Sequence, residues 1–228
     1  MSAAPPLEVV RHPRARRARL RVDPVTGVAR LTLPPRAALK PALAWVESQR
    51  EWIAAARAKV AVASALTAGA TVPVDGVDLL IEHDPAAVRT PLIVGGRLVC
   101  GGPCDALPAR VLRWLRAEAL RLLDVETREC AGRAGVTIGS VRVGDARSRW
   151  GSCTGTGAIR YSWRLVMAPG WVRRAVVAHE VAHRVHMNHG PAFHALAAEL
   201  NGTDPGPAMR WLRANGTRLQ GIGRSSRG

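Results

Sequence analysis

The sequence has few cysteines and no long apolar run, and each shortage argues against a class of protein. Four cysteines in 228 residues are too few for the disulfide scaffold of a small secreted domain. Cys100 and Cys104 enclose only Gly-Gly-Pro, and no second close pair follows, so we expect no structural zinc site there. No run approaches the roughly 18 apolar residues of a membrane-spanning helix, and residues 1–22 lack the apolar segment of a secretory signal. We therefore expect a cytoplasmic protein with free thiols and no membrane partner.

Acidic residues are also scarce: 33 Lys and Arg face 17 Asp and Glu, which gives a net charge of +16. Only Lys40 and Lys59 are lysines, so nearly all the cations are arginines. Such an excess favours a phosphate-rich or acidic partner, such as a nucleic acid or a nucleotide. The alternative is a basic surface without a dedicated partner, and it stays open because the arginines are spread along the chain. No known DNA-binding motif is present, and the chain has only one Tyr and one Phe.

The first half of the chain combines strand and helix patterns. Apolar residues make up 47% of the sequence, which is typical of a globular protein. Alternating apolar residues on both sides of Asp23–Gly27 predict a β-hairpin, and helical spacing predicts one long amphipathic helix over residues 37–65. Asp-Gly and Gly-Gly pairs within residues 71–102 predict further strands joined by tight turns. The candidate core residues of the hairpin are Leu20, Val22, Val28 and Leu31.

The second half begins with another long helix, predicted over residues 106–135. A strand follows, and then a hairpin whose second strand is predicted to cover Ile159–Val166. No proline interrupts Trp171–Gly190, so this histidine-rich segment is predicted to be helical. The predicted apolar face of the long helix consists of Val111, Leu115, Leu122 and Val125.

These patterns predict that the chain is divided into three parts. We predict an N-terminal β/helix module over residues 1–135, a compact catalytic module over residues 136–216 and a basic tail over residues 217–228. The catalytic module ends with two short helices, near Pro191–Leu200 and Pro205–Asn215. The expected fold class is therefore α+β.

The histidine-rich segment contains the pattern His-Glu-x-x-His at residues 179–183. On a helix, residues four apart lie on the same face, so the imidazoles of His179 and His183 can bind one metal ion. Glu180 lies one position further round the helix, where it can reach a water molecule at the metal without being a ligand. This arrangement is typical of a catalytic zinc site in which the glutamate acts as general base.

A catalytic zinc site needs a third protein ligand. His189 is the best placed, because the following Gly190-Pro191 pair must end the helix and can turn the chain back towards the metal. His194 and His186 are alternatives. On a straight helix His186 would lie too far along to bind the same ion, so we also consider it as a group that supports the site or contacts substrate.

Four segments carry a resemblance to a known family: "SRWGSC", "IRYSWRLVMAP", "VVAHEVAH" and "NHGPAF". In this order they resemble the YgjP-like metal-dependent hydrolases, also called the DUF45 family, which are related to the SprT-like and WLM zinc peptidases. The resemblance implies a zincin-like catalytic module, with a small antiparallel sheet packed on the helix that carries the motif. It also implies Zn²⁺ bound by His179, His183 and His189, with Glu180 as the catalytic acid/base. Ser162 departs from the family, which often has Asn at that position.

Substrate contacts are predicted on the strand beside the metal helix. An edge strand at Ile159–Val166 could pair with an extended peptide, and Arg160 and Arg164 would then share one of its faces. Tyr161 and His186 are candidates for stabilising the oxyanion. In "SRWGSC" we interpret Trp150 as a core anchor, while Arg149 or Ser152 in contact with substrate is the alternative.

The sequence therefore predicts a zinc-dependent peptidase that acts on a peptide or protein substrate. Two other functions stay open. The same site could hydrolyse a nucleotide at a phosphoanhydride bond, with arginines binding the phosphates. The chain could also be a DNA-associated protease of the SprT-like kind. Against the nucleotide alternative, no Walker-type phosphate loop is present, and magnesium sites favour carboxylates over three histidines.

Overall fold

The computed structural model describes residues 6–23, 26–58, 60, 64–146 and 149–223. The chain divides into two compact units, Met1–Ala63 and Ser64–Gly228. The described residues form ten strands, in three small sheets, and six α-helices. The fold is therefore α+β, as predicted. No helix in these ranges has the length and apolar character needed to cross a membrane.

The N-terminal unit contains the predicted hairpin. Its strands β2 (Arg19–Val22) and β3 (Ala29–Leu33) pair antiparallel, and Leu31 is fully buried between the sheet and the following helices. Leu20, Val22 and Val28 are partly buried, and Leu20 and Val22 pack against this core. A further strand, β1 (Leu7–Arg11), pairs parallel with β3. The sequence analysis missed β1, because parallel strands are not joined by a tight turn that the sequence would reveal.

The single long helix predicted over residues 37–65 is wrong. The chain forms two helices instead, α1 (Leu39–Ser48) and α2 (Arg50–Ala58), with a break at Gln49. The Ser48 hydroxyl donates a hydrogen bond of 2.8 Å to the Trp45 carbonyl, a local bond that competes with helix continuation. Residues 60 and 64 are not helical, and residues 59 and 61–63 lie outside the described ranges.

The second unit begins with two hairpins that share one sheet, in the order β4-β5-β7-β6. Both predicted turns are confirmed: Asp75 and Gly76 have φ of 51° and 81°, the left-handed conformations of a type I′ turn. Gly95 and Gly96 join the other pair in the same way. The strands are β4 (Thr71–Val74), β5 (Val77–His83), β6 (Leu92–Val94) and β7 (Arg97–Cys100).

The second long helix, α3 (Leu107–Arg133), is confirmed, and of its predicted apolar face Val111 and Leu115 are fully buried whereas Leu122 and Val125 are not. The buried residues recur at intervals of four, a row that is inclined to the helix axis and crosses its partners at an angle. Leu122 is therefore only partly buried, and the side chain of Val125 is exposed. The fully buried row is Leu107, Val111, Leu115, Ala119, Leu123 and Thr127.

The third sheet is mixed rather than antiparallel. Its central strand β10 (Ala158–Ser162) pairs parallel with β8 (Ser140–Gly144) and antiparallel with β9 (Gly151–Cys153). The predicted strand Ile159–Val166 is too long, because a 3-10 helix begins at Trp163. The outer strand nearest the helix that carries His179 and His183 is consequently β9.

Three helices complete the second unit: α4 (Gly170–Ala182), α5 (Pro191–Asn201) and α6 (Gly206–Gly221). Helix α6 includes residues 217–221, and Leu219 is fully buried, so this part of the predicted tail is structured. Residues 224–228 lie outside the described ranges. The division predicted after residue 135 falls inside the second unit, where residues of α3, β10 and α4 share one core. The structure places the division between the two units at residue 63 instead.

Candidate metal centre

Helix α4 holds the His-Glu-x-x-His motif against the core of the second unit. Its apolar side is buried, with Val172, Val177 and Val181 almost inaccessible to solvent. The helix ends at Ala182 rather than near Gly190 as predicted. His183 caps it with helical backbone angles, φ −64° and ψ −14°, so His179 and His183 keep their one-turn spacing. Their ring centroids are 5.0 Å apart.

The early end of α4 brings a third histidine to the same place. The Nε2 atom of His189 lies 3.2 Å from Nε2 of His179. Each of the three histidines offers a ligand nitrogen, and these atoms all lie within 4.8 Å of one another. Of the three candidates for the third ligand, the geometry favours His189. The ring of His194 is centred 6.3 Å from that of His189.

His186 serves the cluster through its backbone. Its carbonyl lies 3.2 Å from Nδ1 of His183. Because a carbonyl oxygen can only accept, Nδ1 of His183 donates this hydrogen bond, which leaves its Nε2 unprotonated and available to a metal. Hydrogen bonds of this kind fix the ring orientation of metal-binding histidines.

The donor set is suited to a divalent metal ion. Two nitrogens at about 2.0–2.1 Å from a tetrahedral zinc ion would be about 3.4 Å apart, close to the separation of the His179 and His189 nitrogens. Metal binding also requires neutral imidazoles. Burial is the main cause that lowers the pKa of His179 to about 4, and repulsion from neighbouring histidines adds to it. Burial also lowers the pKa of His183, against the opposing effect of the His186 carbonyl.

Phe193, the only phenylalanine of the chain, forms an apolar wall beside the three imidazoles. Its ring centroid lies 4.9 Å from that of His179 and 4.6 Å from those of His183 and His189. The side chain is 1% exposed and belongs to α5, which packs on α4. The sequence analysis gave Phe193 no role, although its position four residues after His189 was a usable signal.

Glu180 lies beside the histidines with its carboxylate buried against β9. An added Cβ at Gly151 would lie 2.6 Å from Cγ and 2.7 Å from Cδ of Glu180, so only glycine allows this approach. Burial raises the pKa of the Glu180 carboxyl group to about 7, although the positive charge of Arg149 opposes the shift. The sequence analysis missed the part that Gly151 plays in seating this carboxylate.

A cavity of about 200 Å³ opens onto this carboxylate. Arg149, Trp150 and Gly151 line it together with His179 and Glu180, and α6 contributes further apolar side chains. Trp150 is also the anchor that we predicted, because its ring packs on α6 beside Gly216. Within this segment, Arg149, Trp150 and Gly151 therefore form one wall of the cavity, and Trp150 also anchors the fold.

Two residues predicted to contact substrate are instead buried in the core. Tyr161 is 1% exposed, and its hydroxyl shares a hydrogen bond of 3.0 Å with Thr127. Burial raises the pKa of this hydroxyl, which stays protonated. The Tyr161 hydroxyl bonds to Thr127 on α3 and does not line the metal cavity, which does not support Tyr161 as the oxyanion donor.

Arg164 does not share a strand face with Arg160, because β10 ends at Ser162. Its guanidinium is 1% exposed and forms an ion pair with Asp145. It also donates to the carbonyls of Leu219 and Ile222. Arg164 therefore ties the end of α6 to the third sheet and does not contact substrate. Arg160 remains exposed on β10.

The chain was compared with known protein families and proteins. A family model described as "YgjP-like, metallopeptidase domain" matches residues 16–214, which are most of the chain. No curated protein and no solved structure matches.

Proposed function

The chain belongs to the YgjP-like metallopeptidase family, and we propose that it hydrolyses peptide bonds with a zinc ion held by His179, His183 and His189. The observation that carries the proposal is the buried Glu180 carboxylate, which lines one cavity with His179, whose imidazole converges with those of His183 and His189. When bound, zinc supplies Lewis acidity, which makes water more acidic and polarises a carbonyl group.

Glu180 is proposed as the general base. Its carboxylate lines the cavity without belonging to the cluster of three ligand nitrogens, which suits a group that exchanges protons with water. In the proposed reaction it accepts a proton from the attacking water and delivers that proton to the leaving amine. The contact with Gly151 holds the carboxylate in place for both transfers.

Strand β9 is the proposed docking edge for the peptide. It is one of the two outer strands of its sheet, and within the described residues it pairs only with β10. Gly151, its first residue, lies against Glu180. An extended substrate that pairs with the outer side of β9 would therefore pass close to the metal cavity. We predicted this role for the strand Ile159–Val166, but β10 is the central strand of the sheet.

The test compares the zinc-loaded protein with its Glu180→Gln variant on a pooled peptide library, with products identified by mass spectrometry. We expect peptide cleavage by the native protein and none by the variant, with an equal zinc content in both. Nucleoside triphosphates form the second arm. Release of phosphate or pyrophosphate that is lost in the variant, without peptide cleavage, would contradict the peptidase and assign phosphoanhydride chemistry to the site.

The N-terminal unit offers a surface for the nucleic-acid partner that we considered. Arg19 and Arg21 are exposed on β2, and Arg14, Arg16 and Arg17 are exposed in the preceding segment. We propose that this surface binds nucleic acid weakly and without sequence preference. Binding should weaken steeply as salt is raised, and the double variant Arg19→Gln/Arg21→Gln should weaken it at low salt. Binding that is unchanged by both would contradict this role.

A further inference from the structure

Two arginines converge on a second cavity that adjoins the metal cavity. This cavity has a volume of about 390 Å³, and Arg149, Ser152 and Arg160 are among its lining residues. Arg149, Trp150 and Gly151 line both cavities, so one three-residue segment forms a shared wall. A substrate at the metal site could thus reach the second cavity across this segment.

Neither arginine of this cavity is held in an ion pair, although the positive charge of Arg149 acts on the nearby Glu180 carboxylate. Among the described residues, neither the Arg149 nor the Arg160 guanidinium forms a salt bridge or a side-chain hydrogen bond. Asp145 also lines the cavity, but its carboxylate is ion-paired with the buried Arg164. The Arg160 guanidinium is seated over Gly144, where an added Cβ would lie 2.6 Å from Nη2. The cavity therefore has a net positive charge, and the Arg160 guanidinium is held in position by its packing over Gly144.

The sheet register shows which substrate groups would reach this cavity. Ser152 pairs with Arg160, and Gly151 pairs with Tyr161. Side chains alternate between the two faces of a sheet. Gly151 and the buried Tyr161 face the core and α4, so Ser152 and Arg160 face the other way, towards the second cavity. In a peptide paired with β9, every second side chain would point to this face.

We infer that this cavity is a specificity pocket for an acidic side chain, Asp or Glu, of the peptide substrate. The inference rests on the proposed peptidase function, since it places the pocket relative to a peptide docked on β9. An arginine guanidinium binds a carboxylate with two parallel, charge-assisted hydrogen bonds, which an amide of the same shape cannot match.

The test uses pairs of peptides that differ only by Glu or Gln at one position near the cleaved bond. For the native protein we expect kcat/KM to favour the Glu peptide by about tenfold or more at one such position. Arg160→Gln should bring this ratio close to one, because it removes the guanidinium that distinguishes Glu from Gln. Arg160→Lys, which keeps the charge but not the fork, should give an intermediate ratio.

Arg142→Gln is the matched control. Arg142 is exposed on β8, is paired in register with Arg160 on the same sheet face and does not line the cavity. The Glu preference should survive this change. Ser152→Asp tests the pocket from another strand, because its carboxylate would compete for the arginines and should remove the preference. Equal losses in Arg142→Gln and Arg160→Gln would show a general charge effect and overturn the inference.

A binding measurement separates this inference from the proposed function. The affinities of the same peptide pairs for zinc-loaded Glu180→Gln protein are measured by calorimetry, with and without Arg160→Gln. If the native protein cleaves no peptide but the Glu peptide binds more tightly and depends on Arg160, the peptidase fails and the pocket stands. If peptides are cleaved and bound without any Glu preference, the peptidase stands and the pocket is overturned.

Discussion

At the scale of single residues, the position of the Glu180 carboxylate depends on the absence of a side chain at Gly151. A methyl group there would overlap Cγ and Cδ of Glu180 and push the carboxylate away. We expect Gly151→Ala to lower kcat on a cleaved peptide by about 100-fold, the loss that follows an ångström-scale misplacement of a catalytic group. Zinc content should stay the same, because the three histidines are not displaced directly.

Gly155→Ala is the control for this substitution. Gly155 follows β9 by two residues, and an added Cβ would have nothing within 4 Å. Activity and zinc content should both stay at the native level. Full activity in Gly151→Ala, with Glu180 unmoved in a crystal structure of the variant, would show that the site tolerates a side chain at this position.

Removing the side chains of His186 and His189, which are three positions apart, should have different effects on zinc affinity. His189 brings a ring nitrogen to the cluster, whereas His186 brings its carbonyl, which alanine would also provide. His189→Ala should lower zinc affinity by more than about 100-fold, beyond the usual effect of losing an outer hydrogen bond. His186→Ala should leave it within a few fold. Competition with a zinc chelator measures both, and the reverse ranking would disprove the ligand set.

At the scale of elements, Arg173 fastens the metal-binding helix α4 to two neighbours. Its guanidinium binds both carboxylate oxygens of Glu126 on α3, at 2.8–3.0 Å, and donates to Asp75 in the β4–β5 turn at 2.9 Å. The Arg173 side chain is 4% exposed and that of Glu126 is 12% exposed. Arg173→Ala would leave a nearly buried carboxylate without its cation.

We expect Arg173→Ala to lower the free energy of unfolding by about 3–5 kcal/mol, the usual cost of breaking a buried ion pair from one side. Urea denaturation followed by circular dichroism measures it. Arg121→Ala removes an exposed arginine from a pair with Glu118 on α3 and should change stability little. A similar small effect for both variants would mean that the Arg173 pairs do not fasten α4.

The elements predicted correctly are those with a local signal. The Asp75-Gly76 and Gly95-Gly96 turns, the helix α3 and the one-turn spacing of His179 and His183 follow from residues that are close in sequence. The errors lie in segments whose structure depends on contacts with residues that are distant in sequence. Strand β10 ends at Ser162 because the next residues form a 3-10 helix in the core. Arg164 is therefore buried, whereas the strand pattern predicted that it would be exposed. The parallel pairings of β1 with β3 and of β8 with β10 likewise depend on distant segments.

The site shows the same division between local and distant information. The motif at residues 179–183 was sufficient to predict two ligands and a candidate base, and the Gly190-Pro191 pair favoured the third ligand. The sequence did not reveal that α4 ends at Ala182, that Phe193 packs beside the imidazoles or that Gly151 seats Glu180. Each of these depends on how α4 packs against α5 or β9, which no single segment encodes.

At the scale of the whole molecule, each of the two units has its own core. The core cluster of the second unit begins at Leu66, and that of the first unit lies within residues 29–53. The three histidines, Glu180 and both cavities belong to the second unit. A unit with a separate core and a complete site is expected to fold by itself.

We therefore expect a chain of residues 64–228 to unfold cooperatively and to bind zinc with an affinity within a few fold of that of the 228-residue chain. Thermal unfolding by circular dichroism and zinc titration against a chelator measure the two properties. His189→Ala in the shortened chain is the control, since it should lose zinc as it does in the full chain. A shortened chain that is unfolded, or that is folded but binds no zinc, would mean that residues 1–63 are required to form the site.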